Sequence, residues 1–159
     1  MKKSYITGVS FGTTSGVIST LGMMVGLEAG TGSELAVIGG IVTVAIADAF
    51  SDSLSMHLSE ESQNDIGEKS IWEATFATFL AKFFVALTFI IPFIFFDRQT
   101  AVWISVVWGL ALVGLWSYLI AKHKNANKLT FIAEHFAIAI AVIIITYFVG
   151  GLLRSNLNI

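Results

Sequence analysis

The hydropathy of this chain alternates between five long apolar runs and short polar breaks. The runs are Tyr5–Leu27, Leu35–Glu60, Ile71–Phe96, Ala101–Ala121 and Phe131–Leu153. Each is close to the roughly 20 residues that an α-helix needs to cross the hydrocarbon layer of a bilayer. The breaks read EAGTGSE, ESQNDIGEKS, DRQT and KHKNANK, too short for a separate soluble domain. The pattern predicts an all-α, polytopic membrane protein, with residues 1–159 forming one five-helix transmembrane domain. The third run contains Lys82, and Pro92 lies near its end.

Composition supports the membrane reading. Only 13% of the 159 residues are charged, 55% are hydrophobic, and the mean hydropathy is +0.81. A soluble domain carries about 25% charged residues. The absence of cysteine excludes disulfides, thiolate metal sites and cysteine nucleophiles. No basic run points to nucleic acid. The opening MKKSYITG has a charged start but no cleavage pattern after a short apolar core, so it is expected to begin a retained span.

Lysine and arginine set an orientation. With five spans, Lys2, Lys3, Lys69, Lys122, Lys124 and Lys128 fall on the N-terminal side, and Arg98 and Arg154 on the other. The positive-inside rule then puts the N-terminus in the cytoplasm and the C-terminus outside or in a lumen. In a prokaryote the membrane would be the plasma membrane.

The first run is rich in small residues. Gly8, Gly12 and Gly16 are four apart, and Gly22 and Gly26 repeat the step. Such positions share a helix face and let another helix approach closely. The face could pack within one bundle, join two copies, or wall a polar path. Thr13, Thr14, Ser15, Ser19 and Thr20 add hydroxyls that packing alone does not require.

The second run carries the candidate chemistry, in 45-AIADAFSDSLSMHLSEESQ-63. Asp48, Asp52, Met56 and Glu60 are spaced by four. Each step overshoots a turn by about 40°, so the four form a winding stripe about 18 Å long. If Glu60 marks the cytoplasmic surface, Asp48 lies near the bilayer centre, with Asp52 one turn nearer the cytoplasm. An ionisable side chain there costs roughly 3 kcal/mol on insertion scales, so two on one face need a reason. Lys82 can neutralise one aspartate, but one lysine is not expected to pair fully with two. The remaining carboxylate would take a proton or a cation. Carboxylates suit hard divalent ions, and a thioether with imidazoles extends the set toward softer first-row metals. Metal arrival displaces protons from such ligands, which links the two movements.

Other polar residues gather at the same end. Glu60, Glu61 and Glu73 with Glu134 and His135 form a candidate mouth, and His57 lies one turn inside. Acids near a helix N-terminus, such as Glu73 and Glu134, also simply suit the helix dipole. His57 can equally serve a packing contact, and His123 is expected to be a solvated loop residue.

The segment 15-SGVISTLGMMVG-26 and the Ser-Met-rich end of the second run resemble the vacuolar iron transporter family. The resemblance implies a homodimer that exchanges Fe²⁺, Mn²⁺ or similar ions for protons, with the metal as cargo and no resident cofactor. It implies no enzymatic activity. By position, Met56 matches the family's path methionine and Asp48 its second-span carboxylate. The family's first-span aspartate falls on Ser15, a departure that Asp52 would offset. Ser59 stands where the family has a glycine before Glu60. The family's Glu-rich metal-binding insert is missing, with Glu61, Asp65, Glu68 and Glu73 at most a remnant.

Two other classes fit less of the chain. Asp48-x-x-x-Asp52 is similar to the tail of the CDP-alcohol phosphotransferase motif, a metal-dependent enzyme signature, but the rest of that motif is absent. A non-transporting metal-binding membrane protein would need a means of passing on its signal. The expected metal ligands are Asp48, Asp52, Met56, Glu60 and Glu134. Ser15, His57, Glu61, Glu73, Lys82 and His135 are further path or mouth residues. The expected partners are lipid, metal ions, protons and a second copy.

Overall fold

In a computed structural model that describes residues 3–63 and 66–157, the chain is all-helical: 91% helix, with no strand among the described residues. Lys2 and Asp65, named above, lie outside the described residues. The elements are α1 (Lys3–Thr31), α2 (Glu34–Glu61), α3 (Glu68–Thr88), α4 (Ile91–Phe95), α5 (Arg98–His123) and α6 (Lys128–Leu157). Each long helix but one overruns its apolar run by a few residues, because the backbone stays helical until a cap stops it. At α2 the Ser33 hydroxyl accepts the Ala36 N–H at 3.3 Å, and at α5 Asp97 accepts the Thr100 N–H at 3.1 Å. Behind α1, Gly32 sits at φ +56° and its N–H bonds the Glu28 carbonyl at 2.9 Å, a left-handed stop that favours glycine.

The exception is the third run, which is not one continuous helix. Four stretches are long and apolar enough to cross a membrane: Glu34–Glu61, Glu68–Phe95, Arg98–His123 and Lys128–Asn156. The second of these breaks between α3 and α4. Pro92 has no N–H, and its ring cannot sit over the carbonyl four residues back, here that of Thr88. The chain turns instead with Phe89 and Ile90 N–H groups bonding Ala86 and Leu87 carbonyls, both at 3.1 Å. α1 falls short of that apolarity because of its glycines, serines and threonines.

The distribution of residues is that of a membrane protein. The outside is studded with Phe50, Leu54, Phe76, Phe84, Trp103, Ile145 and Phe148. The interior combines large side chains such as Leu21, Met24, Ile41 and Phe89 with helix faces of mostly small residues. α5 turns Ala101, Ser105, Gly109, Val113, Ser117 and Ala121 inward, a face repeating every four residues. α2 does the same with Val37, Ile41, Ala45, Ala49 and Ser53. In lipid, helices gain from close van der Waals approach rather than from burying oil, and small residues permit it.

α1 is the central helix, packed against α2, α3, α5 and α6. Its glycines set the partners. A Cβ on Gly8 or Gly12 would collide with the carbonyl oxygens of Ala74 or Thr78 in α3, and one on Gly16 would lie 3.1 Å from Lys82 Cγ. Further along, Gly22 and Gly26 face Val142 and Thr146 of α6, and Gly30 faces Gly150. Both registers rise together, so α1 runs parallel to α3 and α6. Contacts of Ser15 with Asp52, and of Met23 and Leu27 with Gly40, make it antiparallel to α2.

Candidate functional site

The parallel contact of α1 with α3 delivers Lys82 to the two aspartates of α2. Gly16 lets the lysine stem lie against α1, and the side chain is buried, 1% exposed. Its ammonium is 2.7 Å from Asp48 Oδ2, pairs still more tightly with Asp52 Oδ2, and donates to Ser15 Oγ at 2.9 Å. Ser15 in turn donates its hydroxyl proton to Asp52 Oδ2 at 2.6 Å. Three helices thus meet on one charged cluster, with Asp48 32% and Asp52 18% exposed.

The lysine expected to neutralise one aspartate lies within ion-pair distance of both. Residues four apart on a helix are neighbours, so a single ammonium with three protons reaches both carboxylates. Asp52 contacts both Ser15 and Lys82. The cluster carries two carboxylates and one ammonium, a net charge of one negative if all are ionised.

The rest of the stripe continues without joining this cluster. Met56 and Glu60 are buried on α2, 8% and 7% exposed. His57 turns to α3: its ring meets Trp72 edge-on at 4.7 Å, and its Nδ1 lies 3.1 Å from Thr75 Oγ1. Thr75 gives its own proton to the Ile71 carbonyl at 2.8 Å, so His57 Nδ1 is the donor. This is the packing role for His57. Glu61 is exposed and Glu73 half-buried beside Lys69, Trp72 and Trp116.

Glu134 is not brought to the stripe. It is exposed on α6, which packs on α1 and α5, while α2 packs on α1 and α3. His135 bonds the Phe131 carbonyl of its own helix at 2.8 Å. Among the described residues no three His, Asp or Glu side chains come together as a ligand set. The five expected metal ligands are therefore not assembled into one site. Spacing along α2 relates residues of that helix to one another and says nothing of which helix lies opposite.

One side of α1, next to α6, is open. A groove of about 580 Å³ is lined by Phe11, Thr14, Ser15, Ile18, Ser19, Gly22, Met23, Val142 and Thr146. It runs past Ser15, so the charged cluster lies beside it. Ser19 Oγ and Thr20 Oγ1 are buried with no hydrogen-bond partner among the described residues. At the opposite end of the bundle Arg98 pairs with Glu28. Sequence reading missed that pair, because a C-terminal turn of α1 and the first residue of α5 are 70 positions apart.

No protein-family model matches the chain, and no curated protein matches it. Fold and site define an all-helical protein with four helices able to cross a membrane and a charged cluster inside the bundle.

Proposed function

We propose that this is a multi-pass transporter of divalent transition metals, Fe²⁺ and Mn²⁺ among them, resembling the vacuolar iron transporters and exchanging metal for protons out of the cytoplasm. In this reading α1 is a fifth span, the N-terminus is cytoplasmic, and a second copy closes the groove beside Ser15. Asp48 and Asp52 hold the cargo, Met56 follows along the path, and Glu60 stands nearer the mouth. The observation that carries the reading is the buried cluster itself. Two carboxylates on adjacent turns share one ammonium and keep an excess negative charge where ionisable groups are expensive. Such groups inside spans mark ion paths and proton relays. Beside the cluster, Thr14 and Ser15 of α1 and Thr146 of α6 contribute hydroxyls to a groove whose walls are otherwise mainly apolar.

One observation favours a second reading, in which the cluster only holds α1, α2 and α3 together: no three-residue ligand set exists among the described residues. Flux separates the two. In proteoliposomes with an imposed pH gradient, the parent chain moves Mn²⁺ or Fe²⁺, and Asp48→Asn with Asp52→Asn does not. Because that variant strands Lys82, the triple variant with Lys82→Met is measured beside it as the better-folded comparison. Unchanged flux in the triple variant rules out the site assignment. Absence of metal flux in the parent chain rules out transport.

A further inference from the structure

Lys82 occupies the position between the carboxylates that a cargo cation would take. We propose that it is a tethered counter-ion that makes the Asp48–Asp52 site select divalent over monovalent cations. This inference rests on the reading of the two aspartates as a cation site.

The argument is one of charge and geometry. The ammonium contacts three oxygens, those of Asp48, Asp52 and Ser15, and its stem passes beside Gly16 of α1. A monovalent ion entering the site would replace one unit of charge by another. It would gain no attraction to the carboxylates and would have to shed its water and evict a group already in place. A divalent ion brings a second unit of charge. It can neutralise both aspartates, which a single ammonium leaves one charge short. Attraction between unit charges a few ångströms apart in partly buried surroundings is large enough to decide the contest. Lysine suits the part, being a compact point charge on a flexible stem that can swing away without unfolding the helix. Ser15 adds a second tie, because it both accepts from Lys82 and donates to Asp52.

The test is Mn²⁺ binding to the full chain in detergent, followed by calorimetry, with Na⁺ exchanged for choline at constant ionic strength. In the parent chain Na⁺ leaves Mn²⁺ affinity unchanged. In Lys82→Met, Mn²⁺ binds about tenfold or more tightly in choline, and Na⁺ now competes. Equal Mn²⁺ affinity and equal indifference to Na⁺ in the two proteins overturn the proposal. If Asp48→Asn with Asp52→Asn also abolishes binding in that case, the cation-site reading survives. No Mn²⁺ binding by any of these proteins overturns both. Should Lys82→Met lose its monodisperse elution, Asp52→Asn is compared with Asp52→Asn/Lys82→Met, where one carboxylate faces the lysine. Tighter Mn²⁺ binding by the second supports the proposal, and equal binding overturns it.

Discussion

Burying Lys82 almost completely is tolerable only because three oxygens surround its ammonium. Removing one partner of a buried pair strands the other, which costs about 3 kcal/mol or more, whereas removing all partners together is often neutral. Lys82→Met strands both carboxylates and should lower unfolding free energy by roughly 3 kcal/mol, whereas Asp52→Asn or Asp48→Asn alone leaves the ammonium one carboxylate and should cost less. The triple neutral variant should recover most of the loss. Equilibrium unfolding in mixed micelles reads this, and strictly additive losses would disprove the coupling. Asp97 makes a separate case at the surface. The Thr100 backbone N–H, then the Thr100 hydroxyl, hold its carboxyl below the ordinary 3.8. A carboxylate whose pKa folding lowers stabilises the fold above its unfolded pKa, and that contribution disappears as pH falls through the folded value. Asp97→Ala should therefore lower the melting temperature at pH 7, and the gap from the parent should close below about pH 3.8. A gap that persists in acid would mean that Asp97 does not act through its charge.

For the helices, the same residue type has opposite expected effects at different places. Gly12 meets the Thr78 backbone, which cannot yield, so Gly12→Val should push α1 from α3 and cost about 1–3 kcal/mol. It should also weaken the reach of Lys82 to Asp52, because Gly16 lies one turn further along the same contact. Gly39 lies within α2 with open space around it, so Gly39→Ala should stabilise the helix by about 0.5–1 kcal/mol. Thermal unfolding of the two variants in one detergent makes the comparison, and a loss at Gly39 would contradict the open surroundings. These glycines also mark where sequence reading stops. A four-residue glycine repeat announces close approach but not the partner. Nothing in the local sequence says that Gly8, Gly12 and Gly16 would be taken by α3, or Gly22, Gly26 and Gly30 by α6. The apolar runs were legible because lipid demands them, but the third was read as one span although Pro92, which has no N–H, breaks its helix. The Asp48–Asp52 spacing was legible because it lies within one helix. That Lys82 bridges both, and that Ser15 completes the cluster, depends on three helices meeting, which local spacing does not encode.

Over the whole molecule, parity separates five crossings from four. α1 runs parallel to α3 and α6, so as a span it would place the ends of the chain on opposite sides. Charge points the same way. Lys3, Lys69, Lys122, Lys124 and Lys128 lie at one end of the helices, and at the other Arg98 is already paired with Glu28. The larger number of lysines at the first end is the bias that orients helices during insertion. The chain has no cysteine, so single cysteines report without background. In intact cells, a membrane-impermeant maleimide should label Gln99→Cys and Ser155→Cys, both at exposed positions. Lys3→Cys and Lys124→Cys, exposed at the other end, should react only after lysis. Labelling of Lys3→Cys together with Ser155→Cys in intact cells would mean that α1 does not cross. The hydroxyl face of α1 could not then line a route through the bilayer, and the transport reading would fail with it.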